Sequence, residues 1–139
     1  RVAKRAKIVE RPILNNDDIV QFFAVHDGFS KQGAKCLHKR NWKVNDSLIE
    51  VTDELIGNFQ TAVGFLHLHP DVQISRCFES MLTLKVGDFI VDVKVDGAAI
   101  NIEETSWHPE FGKVIPNKKI KLTFKQHVVS TIITWKKNN

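Results

Sequence analysis

Hydrophobic and polar side chains alternate most regularly in two stretches of the C-terminal half of the chain. Along residues 89–95 and 120–124 every second side chain is apolar, and most of the side chains between them are polar. A period of two residues is typical of a β-strand that buries one face. We therefore predict two strands that share an interior, formed by Phe89, Val91, Val93, Val95, Ile120, Leu122 and Phe124.

The stretch TAVGFLHLHPDVQI, residues 61–74, is apolar on both faces before Pro70. In an extended chain Val63 and Phe65 point to one side and Leu66 points to the other. A strand that is apolar on both faces belongs in the middle of a sheet, covered on both sides. We predict a central strand that ends at Pro70, because proline cannot donate to a β-ladder.

The rest of the chain shows the same short periods between frequent turn residues. No window of 12 residues has helical periodicity, and residues 105–117 are predicted to be irregular. We predict a single domain, residues 1–139, built as an antiparallel two-sheet β-sandwich of about ten to twelve short strands. The remaining strands are predicted at residues 1–10, 19–25, 34–44, 47–55, 73–77, 81–86, 98–103 and 128–135. Turns or loops are predicted at residues 15–18, 26–33, 45–46, 87–88 and, as a type I′ hairpin candidate, 96–97.

The chain carries 20 Lys and Arg against 16 Asp and Glu, which gives a formal net charge of +4. This excess favours an anionic partner such as nucleic acid, an anionic polysaccharide or the acidic face of another domain, or it reflects a solvated surface. No basic-aromatic pattern of an RNA-binding motif is present, and no run reaches the roughly 18 apolar residues of a membrane span. We expect no nucleic-acid partner and no membrane span.

The first residues, RVAKRAKIVE, are charged and alternating, so they do not predict a signal peptide. The sequence begins without Met, and we expect it to be a fragment of a longer chain. Cys36 and Cys77 are too few for a disulfide framework. A bridge between the two remains open beside the simpler prediction of two small core side chains.

His67 and His69 form a His-X-His pair whose side chains leave the same face of a strand. This spacing can chelate zinc, but a site needs a third ligand, which Asp71 or His38 could supply only if the fold brings it near. The alternative is that each histidine is satisfied by one hydrogen bond at a sheet surface. Two histidines alone are a weak zinc signal, so we expect no metal and no other cofactor.

His26 and Trp107 are the candidates for contact with a substrate. His26 lies in a predicted loop beside Asp27, where a histidine can act as a general acid or bind substrate, or can simply be an exposed side chain at an Asx turn. Trp107 lies in the segment predicted to be irregular and could stack on a sugar ring. Trp42 and Trp135 lie in strand patterns and are expected in the core.

Four stretches taken together resemble the C-terminal part of heparinase II/III-like proteins. They are VHDGFSKQGAKCLHKRNWKVNDSLIEVTDEL at residues 25–55, VGFLHLHPDVQIS at 63–75, ETSWHPEFGKVIPNKKIKL at 104–122 and the opening RVAKRAKI at 1–8. The first resembles the family's HDGY loop and hairpin, but it has Phe29 where tyrosine is common. The order and spacing of the four stretches carry the resemblance, which runs over nearly the whole chain.

The resemblance implies a two-part polysaccharide lyase, with a helical (α/α) toroid followed by an antiparallel β-sandwich. Such enzymes cleave uronic-acid polysaccharides, such as heparan sulfate or alginate, by β-elimination, with a tyrosine and a histidine or asparagine mostly on the toroid. This chain has no tyrosine, so none of the toroid's residues can be assigned to it. We expect the fragment to be non-catalytic alone, to pack on the toroid and to form one wall of the substrate cleft.

Within that wall, the resemblance makes His26 the candidate for contact with the cleft. We expect Asp27 to shape the turn and Gly28 to adopt a positive φ. The alternatives are a free-standing carbohydrate-binding or interaction module, or part of a protein of surface-polysaccharide synthesis. A degradative lyase would be periplasmic or secreted, and a synthesis protein would be cytoplasmic.

Overall fold

The computed structural model describes residues 5–10, 13–16, 19–30 and 35–138. These residues form twelve β-strands and no α-helix, which confirms the predicted all-β class. None of them forms a helix long and apolar enough to cross a membrane. The strands are β1 (Ile8–Glu10), β2 (Ile13–Asn16), β3 (Ile19–His26), β4 (Cys36–Val44), β5 (Leu48–Gly57), β6 (Val63–His67), β7 (Gln73–Phe78), β8 (Met81–Val86), β9 (Phe89–Asp96), β10 (Ala98–Trp107), β11 (Ile115–Phe124) and β12 (Val128–Lys137).

The strands form two antiparallel sheets of unequal size. The large sheet has nine strands in the order β1-β3-β4-β5-β12-β9-β8-β7, with β2 paired to β3. The small sheet has three strands in the order β10-β11-β6. The predicted two-sheet sandwich is therefore confirmed, and the small sheet has too few strands to face the whole of the large one.

The hydrophobic core lies between the small sheet and the β8, β9 and β12 part of the large sheet. Ile120 and Leu122 of the small sheet are buried with Val93, Val95 and Val129 of the large sheet. The alternation in β9 and β11 therefore predicted a shared interior correctly. Val91 and Phe124 pack at its margin, but Phe89 is 44% exposed, because it pairs with Lys137 and Val86 at the end of its strand, away from the small sheet.

The prediction of a central strand before Pro70 is wrong. β6 is an edge strand that pairs only with β11, and it ends at His67. Val63 and Phe65 are each 47% exposed, whereas Leu66 points to the core. Both faces of this strand are therefore apolar, but only the face toward the large sheet is covered. The other apolar face is exposed.

The predicted type I′ hairpin at residues 96–97 is also wrong. β9 belongs to the large sheet and β10 to the small one, so the chain crosses between sheets here. Gly97 has a φ of +84°, but Asp96 does not have the positive φ that the first position of a type I′ turn requires. A Cβ at Gly97 would lie 2.3 Å from the carbonyl oxygen of Val128, so the crossing also needs glycine for space.

The segment predicted to be irregular, residues 105–117, is a loop at its centre and strand at both ends. β10 and β11 pair continuously from Ala98 opposite Phe124 to Trp107 opposite Ile115, and only residues 108–114 form the connecting loop. Pro116 lies beyond the part of β11 that pairs with β6, so its missing N–H removes no bond to that strand. Pro116 therefore gave a misleading signal of a loop, whereas Pro109 lies in the connecting loop itself.

Several N-terminal predictions fall partly or wholly outside the described residues. Residues 1–4 of the first predicted strand, 17–18 of the first predicted turn and Gly33 of the predicted loop are among them. Within the described residues, β1 begins only at Ile8, and Asn16 still belongs to β2.

The cysteines and the strand tryptophans differ from parts of the sequence prediction. Cys36 is buried and Cys77 is exposed, and both are free, so the two form no bridge. Trp42 and Trp135 were expected in the core, but they are half-buried and lie outside it. Trp42 instead stacks on Phe22 of β3, with ring centroids 4.7 Å apart.

Candidate functional site

A cavity of about 210 Å³ lies where the small sheet stops covering the large one. One wall comes from β4 and β5 and holds His38, Arg40 and Asp53. The opposite wall comes from residues 59–64 and Phe124, and it is mostly apolar. The cavity therefore combines an apolar lining with a few charged groups on one side, which is the usual composition of a ligand site.

Asp53 is the buried centre of the polar wall. Its residue is 5% exposed, and its Oδ1 accepts hydrogen bonds from Nε of Arg40 and Nε2 of His38, each at 2.6 Å. Nη2 of Arg40 donates to Oδ2 at 3.1 Å, which completes a two-point contact. The three side chains come together because β4 and β5 pair with Arg40 opposite Asp53, and a buried carboxylate is tolerated only when such partners satisfy it.

The hydrogen bonds of His38 and His26 run in one direction along the network. Asp53 only accepts, so Nε2 of His38 carries the proton and Nδ1 of neutral His38 accepts from Nε2 of His26 at 2.9 Å. Nδ1 of His26 must then accept, and the backbone N–H of Gly28 donates to it at 3.2 Å. The network therefore fixes one tautomer of each histidine and occupies all four ring nitrogens.

The surroundings change the pKa of two members of this network. Burial lowers the pKa of His26 below its ordinary value of 6.5, and the neighbouring His38 and Arg40 act in the same direction against Asp27. Burial alone would raise the pKa of Asp53, but the hydrogen bonds and charges of His38 and Arg40 hold it below its ordinary value. The network therefore favours a neutral His26 and an ionised Asp53.

The loop after His26 is built differently from the sequence prediction. Gly28 does not have a positive φ. A Cβ at Gly28 would lie 3.1 Å from Nδ1 of His26, so glycine is explained by close packing on the imidazole. Asp27 pairs with Lys7, whose N–H donates to Oδ1 at 2.6 Å, while the N–H of Asp27 donates to the carbonyl of Lys7 at 3.2 Å. Asp27 therefore fastens the N-terminal segment to the loop.

The structure places His26 behind the cavity lining. His38, Arg40 and Phe29 line the cavity. Among the described residues His26 does not line it, and its ring contacts the rings of His38 and Phe29, with centroids 4.9 and 5.5 Å away. Arg40 and Asp53 were not recognised from the sequence as site residues. Arg40 lies four residues before Val44 and Asp53 lies four residues after Ile49, the pair that flanks the short hairpin turn. This equal distance from the turn was the signal that could have paired them.

Trp107 lies at a second location, on the small sheet. It is the last residue of β10, 38% exposed, and its ring lies 4.9 Å from that of His69. A shallow depression beside it is lined by His67, Leu68, His69, Ser106, Trp107, His108 and Asn117. Trp107 is therefore exposed, as a ring that stacks on a sugar must be, but it ends a strand and does not lie in the irregular segment where it was predicted.

Of the two candidate third ligands for the histidine pair, the structure brings Asp71 close to His69 but not His38. Nδ1 of His69 lies 3.3 Å from Oδ2 of Asp71, but His38 belongs to the Asp53 network on the other sheet. Among the described residues, no group of three or more His, Cys, Asp or Glu could hold a metal ion.

Comparison with known proteins relates this fold to polysaccharide lyases. The chain is similar in fold to heparan sulfate lyase HepC from Pedobacter heparinus, with a TM-score of 0.75 at 13% identity over 96% of this chain and 22% of that chain. A mutant of the same lyase gives the same values. A heparinase III gene product gives a TM-score of 0.72 at 12% identity, over 95% of this chain and 22% of that one. This chain therefore spans less than a quarter of the length of these solved relatives.

No curated protein matches the sequence. The family described as heparinase II/III-like, C-terminal, matches residues 1–136, which is almost the whole chain. The chain therefore belongs to the heparinase II/III-like family and corresponds to its C-terminal region.

Proposed function

We propose that this chain is one domain, the C-terminal β-sandwich of a polysaccharide lyase that cleaves uronic-acid polysaccharides by β-elimination. The observation that carries the proposal is the family match over residues 1–136, in a chain that spans 22% of lyases of the same fold. The domain is non-catalytic alone. It packs on a helical toroid of the same protein and forms one wall of the substrate cleft.

The charged wall of the cavity supplies the contact with substrate in this proposal. The side chain of Arg40 is 39% exposed, and Asp53 holds its Nε and Nη2, so Nη1 remains to bind a carboxylate. A guanidinium fixed on one edge is well suited to a uronate group, because it loses little further freedom on binding. Arg40 therefore takes the place in the cleft that the sequence suggested for His26.

His26 acts as a positioning residue. Both of its ring nitrogens are bonded within the protein, so it reaches the cleft only through His38 and the loop that carries Phe29. Loss of its imidazole frees Nδ1 of His38 and removes the acceptor that holds the N–H of Gly28. The expected consequence is a displaced His38–Asp53–Arg40 group in an otherwise folded domain.

The test measures lyase kinetics of the full-length protein. Both Arg40→Ala and His26→Ala should lower kcat/KM at least about tenfold, a loss of about 1.4 kcal/mol of transition-state stabilisation. His26→Gln should recover part of the loss, because an amide can accept and donate at the same position. Glu54→Gln, which removes an exposed pair of β5 with Lys39, is the control and should leave kcat/KM unchanged. Unchanged kinetics for Arg40→Ala, or losses that follow thermal stability alone, would contradict the role of this wall.

A further inference from the structure

The outer face of the small sheet carries a second set of aromatic and charged side chains. The inner face, with Ile120 and Leu122, is buried against the large sheet. The register of β10, β11 and β6 places the alternate residues together on the opposite side. This outer face includes Phe65, His67, Glu103, Trp107, Lys119 and Lys121.

Two aromatic rings mark the two ends of the outer face. Phe65 lies in the same row as Asn101 of β10, and Trp107 lies six residues further along that strand, or about 20 Å at ~3.3 Å per residue. The two side chains are 47% and 38% exposed. The ring of His69 packs against that of Trp107, with centroids 4.9 Å apart.

Beside Phe65, on the side toward Trp107, lies a cluster of two lysines and one glutamate. Lys119 and Lys121 each contact a different oxygen of Glu103, at 3.2 and 2.9 Å. Lys119 also lies over the ring of Phe65, 4.6 Å from its centroid. One carboxylate balances one of the two positive charges, so the cluster retains a net positive charge and suits an anionic group.

The depression beside Trp107 offers hydrogen-bonding groups. Ser106 and His108 form a pair at its edge, with Oγ and Nε2 2.8 Å apart, and Asp71 is bonded to His69 nearby. Asn117 lines the depression and is 7% exposed, with Nδ2 donating to the carbonyl of Leu68 at 2.7 Å. Its Oδ1 has no hydrogen-bond partner among the described residues. Ser106 and His108 are therefore the groups at the edge of the depression that can bind a sugar hydroxyl.

We propose that the outer face of the small sheet is a second binding surface for a linear, uronate-bearing polysaccharide, separate from the cleft at Arg40. Trp107 stacks on a sugar ring, the depression binds its hydroxyl groups, and the lysine cluster binds a carboxylate further along the polymer. The length of the face is matched by a chain of several sugar units. The identity of the polymer as an acidic one rests on the proposed function, and the charge of the cluster supports it.

The test measures retardation of the full-length protein in native gels that contain polysaccharide, run in the cold so that turnover is slow. Heparan sulfate and alginate are the acidic probes, which separate sulfated from purely carboxylate polymers, and dextran is the neutral one. Trp107→Ala should weaken binding of at least one acidic probe about tenfold. Glu103→Gln should strengthen it about threefold, because it frees two lysines, and added salt should reduce that gain.

Two matched controls lie away from the outer face. Phe78→Ala removes an aromatic side chain of β7 that is 60% exposed, and Lys94→Gln removes one positive charge from an exposed position of β9 in the large sheet. Neither should change retardation by more than about twofold. Equal losses in Trp107→Ala and Phe78→Ala, unchanged binding in both Trp107→Ala and Glu103→Gln, or dextran binding as tightly as the acidic probes would overturn the proposal.

The outcome can be separated from that of the proposed function. Trp107→Ala should leave kcat on short oligosaccharides unchanged, because these do not span both surfaces, while KM for the polymer rises. Absence of lyase activity with retained, Trp107-dependent binding contradicts the proposed function alone. Normal activity with Trp107-independent binding contradicts the second surface alone.

Discussion

The inner face of the large sheet is continuous, but its two halves are held in different ways. In the half covered by the small sheet, Val93, Val95 and Val129 pack against apolar side chains. Val129 lies directly opposite Asp53 in the next strand, and there the open half begins. The difference shows that the interactions that stabilise a sheet can change from one strand to the next, over about 4.8 Å. On one strand they are non-directional apolar contacts, and on the next they are hydrogen bonds with fixed donors and acceptors.

The two halves also differ in what disturbs them. Packing in the covered half depends on volume and on exclusion of polar groups, and it is indifferent to pH. The open half depends on a particular protonation state of His26 and Asp53 and on one set of tautomers. Substitutions and pH changes can therefore distinguish the halves, and the expected effects are largest in the covered one.

The largest effect is expected from Val93→Asp in the covered half. Val93 is 2% exposed, so the substitution buries a carboxylate with no partner, at a cost of several kcal/mol. That cost is comparable with the roughly 5–15 kcal/mol that stabilises a whole domain. We expect loss of the cooperative transition in thermal unfolding followed by circular dichroism. Val86→Asp, at a position that is 40% exposed, should unfold nearly as the parent does, and an equally cooperative Val93→Asp would disprove the assignment of the core.

A smaller effect is expected from Asp53→Asn in the open half. The substitution keeps the shape but turns an NH₂ group or a single oxygen toward the donors of Arg40 and His38. Loss of charge-assisted bonds at a buried acceptor should cost about 2 kcal/mol in denaturant unfolding. Glu54→Gln on the same strand should cost less than about 0.5 kcal/mol, because its pair with Lys39 is exposed and 4.0 Å long. Equal costs for the two variants would mean that the network does not stabilise this half.

These two positions also show how far the sequence could predict the structure. Val93 belongs to a strict alternation, so its burial followed from the period alone. Asp53 stands in the alternating run SLIEVTDEL, where a polar residue reads as part of a solvent face. Its burial depends on Arg40 and His38, which satisfy the carboxylate. Whether these two side chains share a face with Asp53 is set by strand register, and the period does not determine the register.

The same limit explains why β6 was predicted to be a central strand and why the cavity was not predicted. An apolar strand such as residues 63–69 reads as central because its composition carries no information on how many neighbours it has. The cavity at Arg40 exists because the sheets contain nine and three strands, and sheet size follows from long-range pairing. His26 could be named as a candidate from the predicted loop, although the structure makes it the last residue of β3. Its occupied ring nitrogens depend on contacts with His38 and Gly28 that only the folded chain makes.

The smallest of the stability effects is expected from pH. The pKa of His26 is lowered below 6.5 by burial and by His38, so the folded state favours the neutral ring. This contribution is fully present above pH 6.5 and is lost as the pH falls through the lower folded pKa, whereas the contribution of Asp53 is lost only below its own ordinary value of 3.8. An extra proton on Nδ1 of His26 also places two hydrogen-bond donors, the ring N–H and the N–H of Gly28, face to face.

Thermal midpoints measured between about pH 7.5 and 5 should therefore fall with acidification, and they should fall less in His26→Gln. His108→Gln is the control, because His108 is exposed and lies in the loop between β10 and β11, bonded to Ser106. A parent and a His26→Gln variant with the same pH dependence would show that the open half tolerates a charged His26.

The central claim is that this chain forms one wall of a lyase cleft and does not catalyse alone. The direct measurement is the growth of ultraviolet absorbance from a 4,5-unsaturated uronide, with heparin, heparan sulfate and alginate as substrates. It compares the full-length protein with the 139-residue chain, after circular dichroism has confirmed β-structure in the chain. We predict product from at least one substrate with the full-length protein, and none from the chain above a heat-inactivated control. Product from the chain alone, or none from the full-length protein with any of the three substrates, would contradict the claim.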